Sequence, residues 1–171
     1  MSTTVFNIPR ELRDPFFFTD DKLKFNESQI KPCNPLFAFE ILYYNGENVN
    51  PVPWMVQGAF AKDIIRDWKK EEDHIKALFR SRSKNVLESM RKSIGGFYLL
   101  LYWTNKQPVN LDNWQSTVER FSLKPVNVVE RLTFIRDNPA LYHSYIQLAQ
   151  LFEEQHKQYA KYLALNQSAN K

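Results

Sequence analysis

The sequence predicts an all-α fold, a helical bundle of about five to six helices with an irregular Pro/Phe-rich N-terminal arm. Three observations predict it. Apolar residues recur at three- and four-residue steps along most of the chain after residue 35, start and stop signals separate these stretches, and no run shows the two-residue alternation of a half-buried strand. At 171 residues the chain can bury a core without a disulfide or metal, so residues 1–171 read as a single helical domain. Residues 1–34 form the arm packed on it and 166–171 a frayed tail.

In the arm, Pro9, Pro15 and Pro32 surround the cluster Phe16, Phe17 and Phe18, a mixture that breaks helices but can pack onto one. Asn34 as an N-cap with Pro35 in the first turn opens a short first helix, which Gly46 stops. Pro51 and Pro53 make residues 48–53 a loop. A second helix over about 56–81 carries Ile64, Ile65, Trp68, Ile75, Leu78 and Phe79 on one stripe. Ser83 caps a third, ending near Asn105, with Val86, Leu87, Met90, Ile94, Phe97, Tyr98 and Leu101 as its apolar face. Gly95 and Gly96 inside it mark either a close helix contact or a kink.

Beyond Pro108, residues 112–121 form a short helix through Trp114, Val118 and Phe121. Asn127 and Glu130 have capping-box spacing and open another, which ends at Asn138-Pro139, itself the start of the last. In that last helix Leu141, Tyr145, Leu148, Phe152, Tyr159 and Leu163 recur in heptad-like steps, with one turn given to Gln155 and His156. At 1.5 Å per residue it is about 40 Å long. Its Leu141, Tyr145, Leu148, Phe152 and Tyr159 face should point inward.

The composition excludes several classes. Cys33 is the only cysteine, so no intrachain disulfide is available and a reducing compartment, the cytoplasm, is expected. The N-terminus lacks the basic start and apolar run of a signal peptide. The uncharged residues 93–105 fall short of the ~20 that a membrane helix needs, so no membrane association is expected.

No catalytic motif is visible. Glu71-x-x-His74 and Glu153-x-x-His156 have the spacing of di-iron bundle ligands, with Glu40 and Glu88 as the remaining carboxylates. Helical geometry turns His74 off the Trp68 stripe and Glu88 nearly opposite Met90, so no metal and no cofactor is expected. Cys33 stands before a helix start that could activate a thiol, yet a lone cysteine without a nearby base reads as structural. His143 falls on the surface side and His156 is the better buried histidine. Gly95-Gly96 follows no strand and precedes no Lys-Ser/Thr, which disfavours a phosphate loop. Trp54, Trp103, Tyr142 and the Phe16–Phe18 cluster are candidates for a partner surface.

Charge is the most informative feature. The net charge is +4, and residues 62–92 contain ten bases against six acids, the whole excess. Lys62, Lys69 and Lys76 recur every seven residues on one flank of the second helix with Arg80 close to the same line, while Asp63, Asp67 and Glu71 occupy the other. Lys84 and Arg91 repeat the spacing on the third helix. If the two helices form a hairpin, these six residues make one ridge, either a binding surface or a solvated, solubilising face.

Residues 123–136, Tyr142-His-Ser-Tyr-Ile-Gln-Leu148, Phe152-Glu-Glu154 and Tyr159-Ala-Lys161, with Ile8-Pro-Arg-Glu-Leu12, Pro15-Phe-Phe17, Tyr102-Trp-Thr-Asn105 and Pro108-Val109, resemble the YpoC family of low-GC Gram-positive bacteria. The resemblance spans most of the chain. It implies a small protein without an assigned activity, whose genes often neighbour those of endonuclease III and the primosomal protein DnaD, and so a link to DNA replication or repair. It supplies no functional residues. The leading expectation is a non-enzymatic adaptor or accessory protein with an unidentified protein partner. The alternative is direct nucleic-acid binding through the basic helical hairpin 62–92, and the third is an enzyme with an unrecognised site.

Overall fold

A computed structural model describes residues 2–56 and 58–169, with side chains through residue 167. Among them are six α-helices: α1 (Ala38–Tyr44), α2 (Ala59–Arg80), α3 (Val86–Thr104), α4 (Trp114–Glu119), α5 (Val128–Asp137) and α6 (Tyr142–Ala169). The fold is a helical bundle whose buried apolar residues form one connected cluster from Phe6 to Phe152.

The bundle is organised around α3. Every residue from 93 to 104 is buried, so no side of that stretch meets water. α2 and α6 pack on it and on each other, and α5 packs on α6. α2 and α6 meet through Trp68 and Phe152, whose rings stack with centroids 4.4 Å apart. In α6, Tyr145, Leu148, Phe152 and Tyr159 are buried as the periodicity requires. Leu141 is the exception. It precedes the first residue of α6 and is 49% exposed, because the inward stripe begins one turn later. Leu87, in the first turn of α3, is likewise exposed. The helix α6 continues into the segment expected to fray, and residues 170–171 lie outside the described residues.

Several element boundaries differ from the sequence reading. The arm contains two strands, β1 (Thr4–Asn7) and β2 (Lys22–Phe25), paired antiparallel with Phe6 opposite Leu23. Their alternation is real, since Phe6 and Phe25 are buried with ring centroids 4.8 Å apart, but four-residue strands are too short to register as a pattern. α1 begins at Ala38 because Cys33 and Leu36 form a bridge and Phe37 adopts a left-handed conformation, delaying the helix beyond Asn34-Pro35. The third helix is preceded by Asn85 rather than capped by Ser83, whose hydroxyl instead accepts from the Asn85 N–H. Asn127 forms no capping box. It sits at φ 57°, a left-handed conformation that asparagine tolerates, and its side chain makes no cap bond.

Gly95 and Gly96 mark a close contact within a continuous helix. A methyl group at Gly95 would stand 2.4 Å from Leu36 Cδ2, so the missing side chain lets the segment before α1 lie against α3.

α1 is fixed at its other side by a buried carboxylate. Glu40 Oε2 accepts from Trp103 Nε1 at 2.7 Å and from the Val109 N–H at 3.0 Å, joining α1, the end of α3 and the following loop. Oε1 is buried without a hydrogen-bond partner. Burial raises the Glu40 pKa from 4.5 to about 7, against the pull of the two donated hydrogen bonds. Tyr44 beside it stays protonated, its pKa raised by burial and by Glu40, and its hydroxyl donates to the Val109 carbonyl.

Three outcomes follow for stability measured in denaturant. Leu148→Ala should cost ~2–5 kcal/mol, the range for a fully buried leucine. Gly95→Ala should cost ~1–3 kcal/mol by overpacking, and in a Leu36→Ala background that cost should disappear and the usual gain in helix propensity emerge. For Glu40, the folded state holds the proton more tightly than the unfolded chain. Its contribution is therefore fully present below pH 4.5 and is lost as the pH rises through about 7. Glu40→Gln removes this titration, so between about pH 4 and about pH 8 the variant should gain on the order of 3 kcal/mol relative to wild type. Parallel pH profiles would contradict it.

Candidate functional site

The residues singled out for metal binding do not converge. Glu71 pairs with Lys92 at 3.5 Å, Glu153 pairs with Lys157 at 2.9 Å, Glu88 pairs with Arg91, and Glu40 is enclosed beneath Trp103. His74 and His156 are exposed on separate helices. Among the described residues no group of three or more His, Cys, Asp or Glu side chains is placed to hold a metal ion. Cys33 is buried, and its thiol pKa is pushed up to about 12, first by burial and then by the Asp67 carboxylate, with Lys92 opposing. Such a thiol stays protonated and is not an activated nucleophile.

Most of the rings considered for a partner surface serve the core. Trp54 and Trp103 are buried, and Phe17 packs edge-on against Phe37 and Tyr98. Tyr142 is 57% exposed and meets Phe79 edge-on. His143 is exposed, as its helical position implies, with its ring against Phe134.

The surface that remains is the outer seam between α2 and α6. At its depth the helices are closed by the Trp68–Phe152 stack and by the Tyr145 hydroxyl, which donates to Glu72 Oε2 at 2.9 Å. At the start of α2 the Gly58 N–H donates to the Tyr159 hydroxyl at 2.8 Å. Outside these contacts the seam opens into three adjoining hollows. One of about 530 Å³ lies between Gly58–Lys62 and Tyr159–Leu163. A second of about 400 Å³ is lined by Lys62, Arg66, Lys69 and Lys70 with Asp73 at its edge, and a third of about 360 Å³ by Lys69, Glu72, Phe152, Glu153 and Lys157. His156 lines all three.

This overturns the expectation that His156 is buried. Gln155 takes the inward position, fully buried, donating to Thr104 Oγ1 at 2.9 Å and to the Leu123 carbonyl at 3.0 Å. The signal was present in the spacing. Continuing the three- and four-residue steps from Leu148 and Phe152 reaches 155 and then 159, which leaves 156 about 100° round the helix.

The predicted basic residues divide. Lys62 and Lys69 share the groove. Lys76 and Arg80 are exposed further along α2. Among the described residues none of these four, nor Lys70, lies within ion-pairing distance of an acid, whereas Arg66 pairs with Asp63 at 2.6 Å. Lys84 is exposed in the turn before α3 rather than on the helix. Arg91 belongs to a different face, since its Nε donates to the Phe16 carbonyl at 2.7 Å and its guanidinium lies over the Phe16 ring. The six residues therefore do not all face one way as free cations. The side of α3 turned to α2 carries Ser93 and Gly96, lining a small void with Cys33, Asp67 and Glu71, and this is not the stripe centre from which the ridge was projected.

The described surface thus offers one elongated groove with a lip of unpaired lysines and partly apolar walls. Comparison with known proteins gives it a family. The family model described as YpoC-like protein matches residues 59–167, the interval that holds α2 through α5 and all but the last two residues of α6. The chain is 32% identical over 117 residues to the "Uncharacterized protein YpoC" of Bacillus subtilis (strain 168), an alignment covering 67% of this chain and 71% of that protein. No solved structure matches significantly. No helix is long and apolar enough to cross a membrane among the described residues. With the family model covering both walls of the groove and a relative of this identity, the chain belongs to the YpoC-like protein family.

Proposed function

We propose that this protein is a non-enzymatic adaptor of the bacterial cytoplasm that holds an acidic region of another protein on the basic flank of α2. The observation that carries the reading is the unpaired state of Lys62, Lys69 and Lys70 beside a groove with apolar walls. Desolvating an ammonium group without a partner is unfavourable, so an apolar ligand alone would not use this lip, whereas a ligand bearing carboxylates supplies the missing partners. The protonated, buried thiol of Cys33 fits a reducing compartment.

Direct nucleic-acid binding is the second reading. It draws on the continuation of the flank past the groove at Lys76 and Arg80, near the exposed ring of Tyr142 against Phe79. The apolar walls favour the adaptor, because a phosphate backbone makes no use of them.

The test replaces Lys62, Lys69 and Lys76 together by glutamate and confirms an unchanged melting curve. Partner capture from lysate by the wild-type chain should survive nuclease treatment and weaken steeply with salt, and the variant should capture that partner at least about tenfold less well. Capture that the variant retains would remove the α2 flank from binding. Capture that nuclease abolishes would favour the second reading.

A further inference from the structure

Resting on the adaptor reading, we propose that the α2–α6 groove receives an amphipathic helix with acidic flanks. Charge complementarity selects the acid. Lys62 and Lys69 stand seven residues apart, two helical turns or about 10 Å along α2, with Lys70 beside them. A ligand helix lying along the seam repeats its own side chains on the same interval, so one row of glutamates or aspartates meets successive lysines.

The walls select the apolar stripe. Ala59 and Ala61 on α2 and Ala160 and Leu163 on α6 border the largest hollow, and their small or apolar side chains leave room for a third helix to approach. The backbone selects the helix itself. Every backbone group in the middle of α2 and α6 is already bonded within its own helix, and the only sheet among the described residues, β1–β2, lies in the N-terminal arm. An extended ligand desolvated here would leave its N–H and C=O groups without partners, while a helix satisfies its own. The hollows border α2 from Ala59 to Asp73, which corresponds to about four turns of ligand, or some 14 residues at about 1.5 Å each.

Fluorescence anisotropy on the full chain tests this with a small panel of labelled peptides of about 16 residues. Each carries a leucine stripe at helical spacing flanked by glutamates, and the panel varies the stripe width. Controls are a permuted peptide of identical composition without the stripe and a striped peptide with lysine for glutamate. At least one acidic striped peptide should bind and gain helical circular dichroism in the complex, the permuted peptide should bind at least about tenfold more weakly, and the lysine peptide should not bind. Ala160→Trp fills the groove from an exposed position and leaves every lysine in the sequence, and should lower striped-peptide affinity about tenfold while leaving the permuted peptide unaffected.

Equal binding of striped and permuted peptides, or a bound peptide that remains unfolded, would overturn the helical ligand while leaving the adaptor reading to the glutamate variant. Failure of the whole panel to bind, or insensitivity to Ala160→Trp, would overturn it as well. A DNA duplex that displaces the striped peptide and binds wild type and Ala160→Trp alike would also overturn it, in favour of a phosphate backbone.

Discussion

A helix with no polar face must be covered on every side, and residues 93–104 of α3 impose that condition on the whole molecule. Burial of this segment supplies the largest continuous block of apolar contact, but it also takes Tyr98, Tyr102 and Trp103 out of water with polar atoms attached. Each of those atoms is satisfied by a different covering element. The Tyr102 hydroxyl donates to the Asn110 carbonyl at 2.7 Å, Trp103 donates to Glu40 of α1, and the Tyr98 hydroxyl accepts from Arg136 of α5. The rings fill the core and their polar tips fix the register of what surrounds it. Loss of one tip would leave a desolvated partner, which costs more than the bond itself contributes.

Arg136 shows how this molecule uses a cation structurally. Its guanidinium pairs with Asp14 at 2.7 Å and lies within 6 Å of the Phe16, Phe17, Tyr98 and Trp114 ring centroids, tying the N-terminal arm to α3, α4 and α5. Arg91 fastens the same arm through the Phe16 carbonyl, and Arg131 holds α5 to α6 through Glu154 at 2.5 Å. Arginine's planar fork suits these multiply bonded positions, whereas the unpaired cations of the groove lip are lysines, flexible and strongly hydrated point charges.

The long periodic helices were legible because their stripes face a continuous core: the α6 spacing names Tyr145, Leu148, Phe152 and Tyr159 correctly. Periodicity cannot say where a stripe stops being covered, so Leu141 and Leu87 at helix starts were assigned inward and stand exposed. It also defines one face per helix. α3 has several, and projecting Lys84 and Arg91 from its nominal stripe placed them beside Lys62 and Lys69, when Arg91 turns to Phe16 instead. The structural role of Glu40 carried no signal, because the donors that hold it, Trp103 and Val109, are more than sixty residues away in sequence. Gly95 signalled close packing or a kink, and only the position of Leu36 decides between them.

The charge sorting along α2 gives the groove its character. Its acidic flank is used internally: Glu71 meets Lys92, and Asp67 lies beside Cys33 and raises the thiol pKa further. With those acids turned toward α3 and the arm, Lys62, Lys69 and Lys70 are left without ion-pair partners and line one hollow, while Arg91 and Lys92 are used elsewhere. Interspersed charges also keep a protein in solution, so the adaptor reading we propose rests on these lysines lying beside apolar walls rather than on their number. In that reading, the placement of these lysines beside Ala59, Ala160 and Leu163 would give a ligand drawn in by charge an apolar surface to bury.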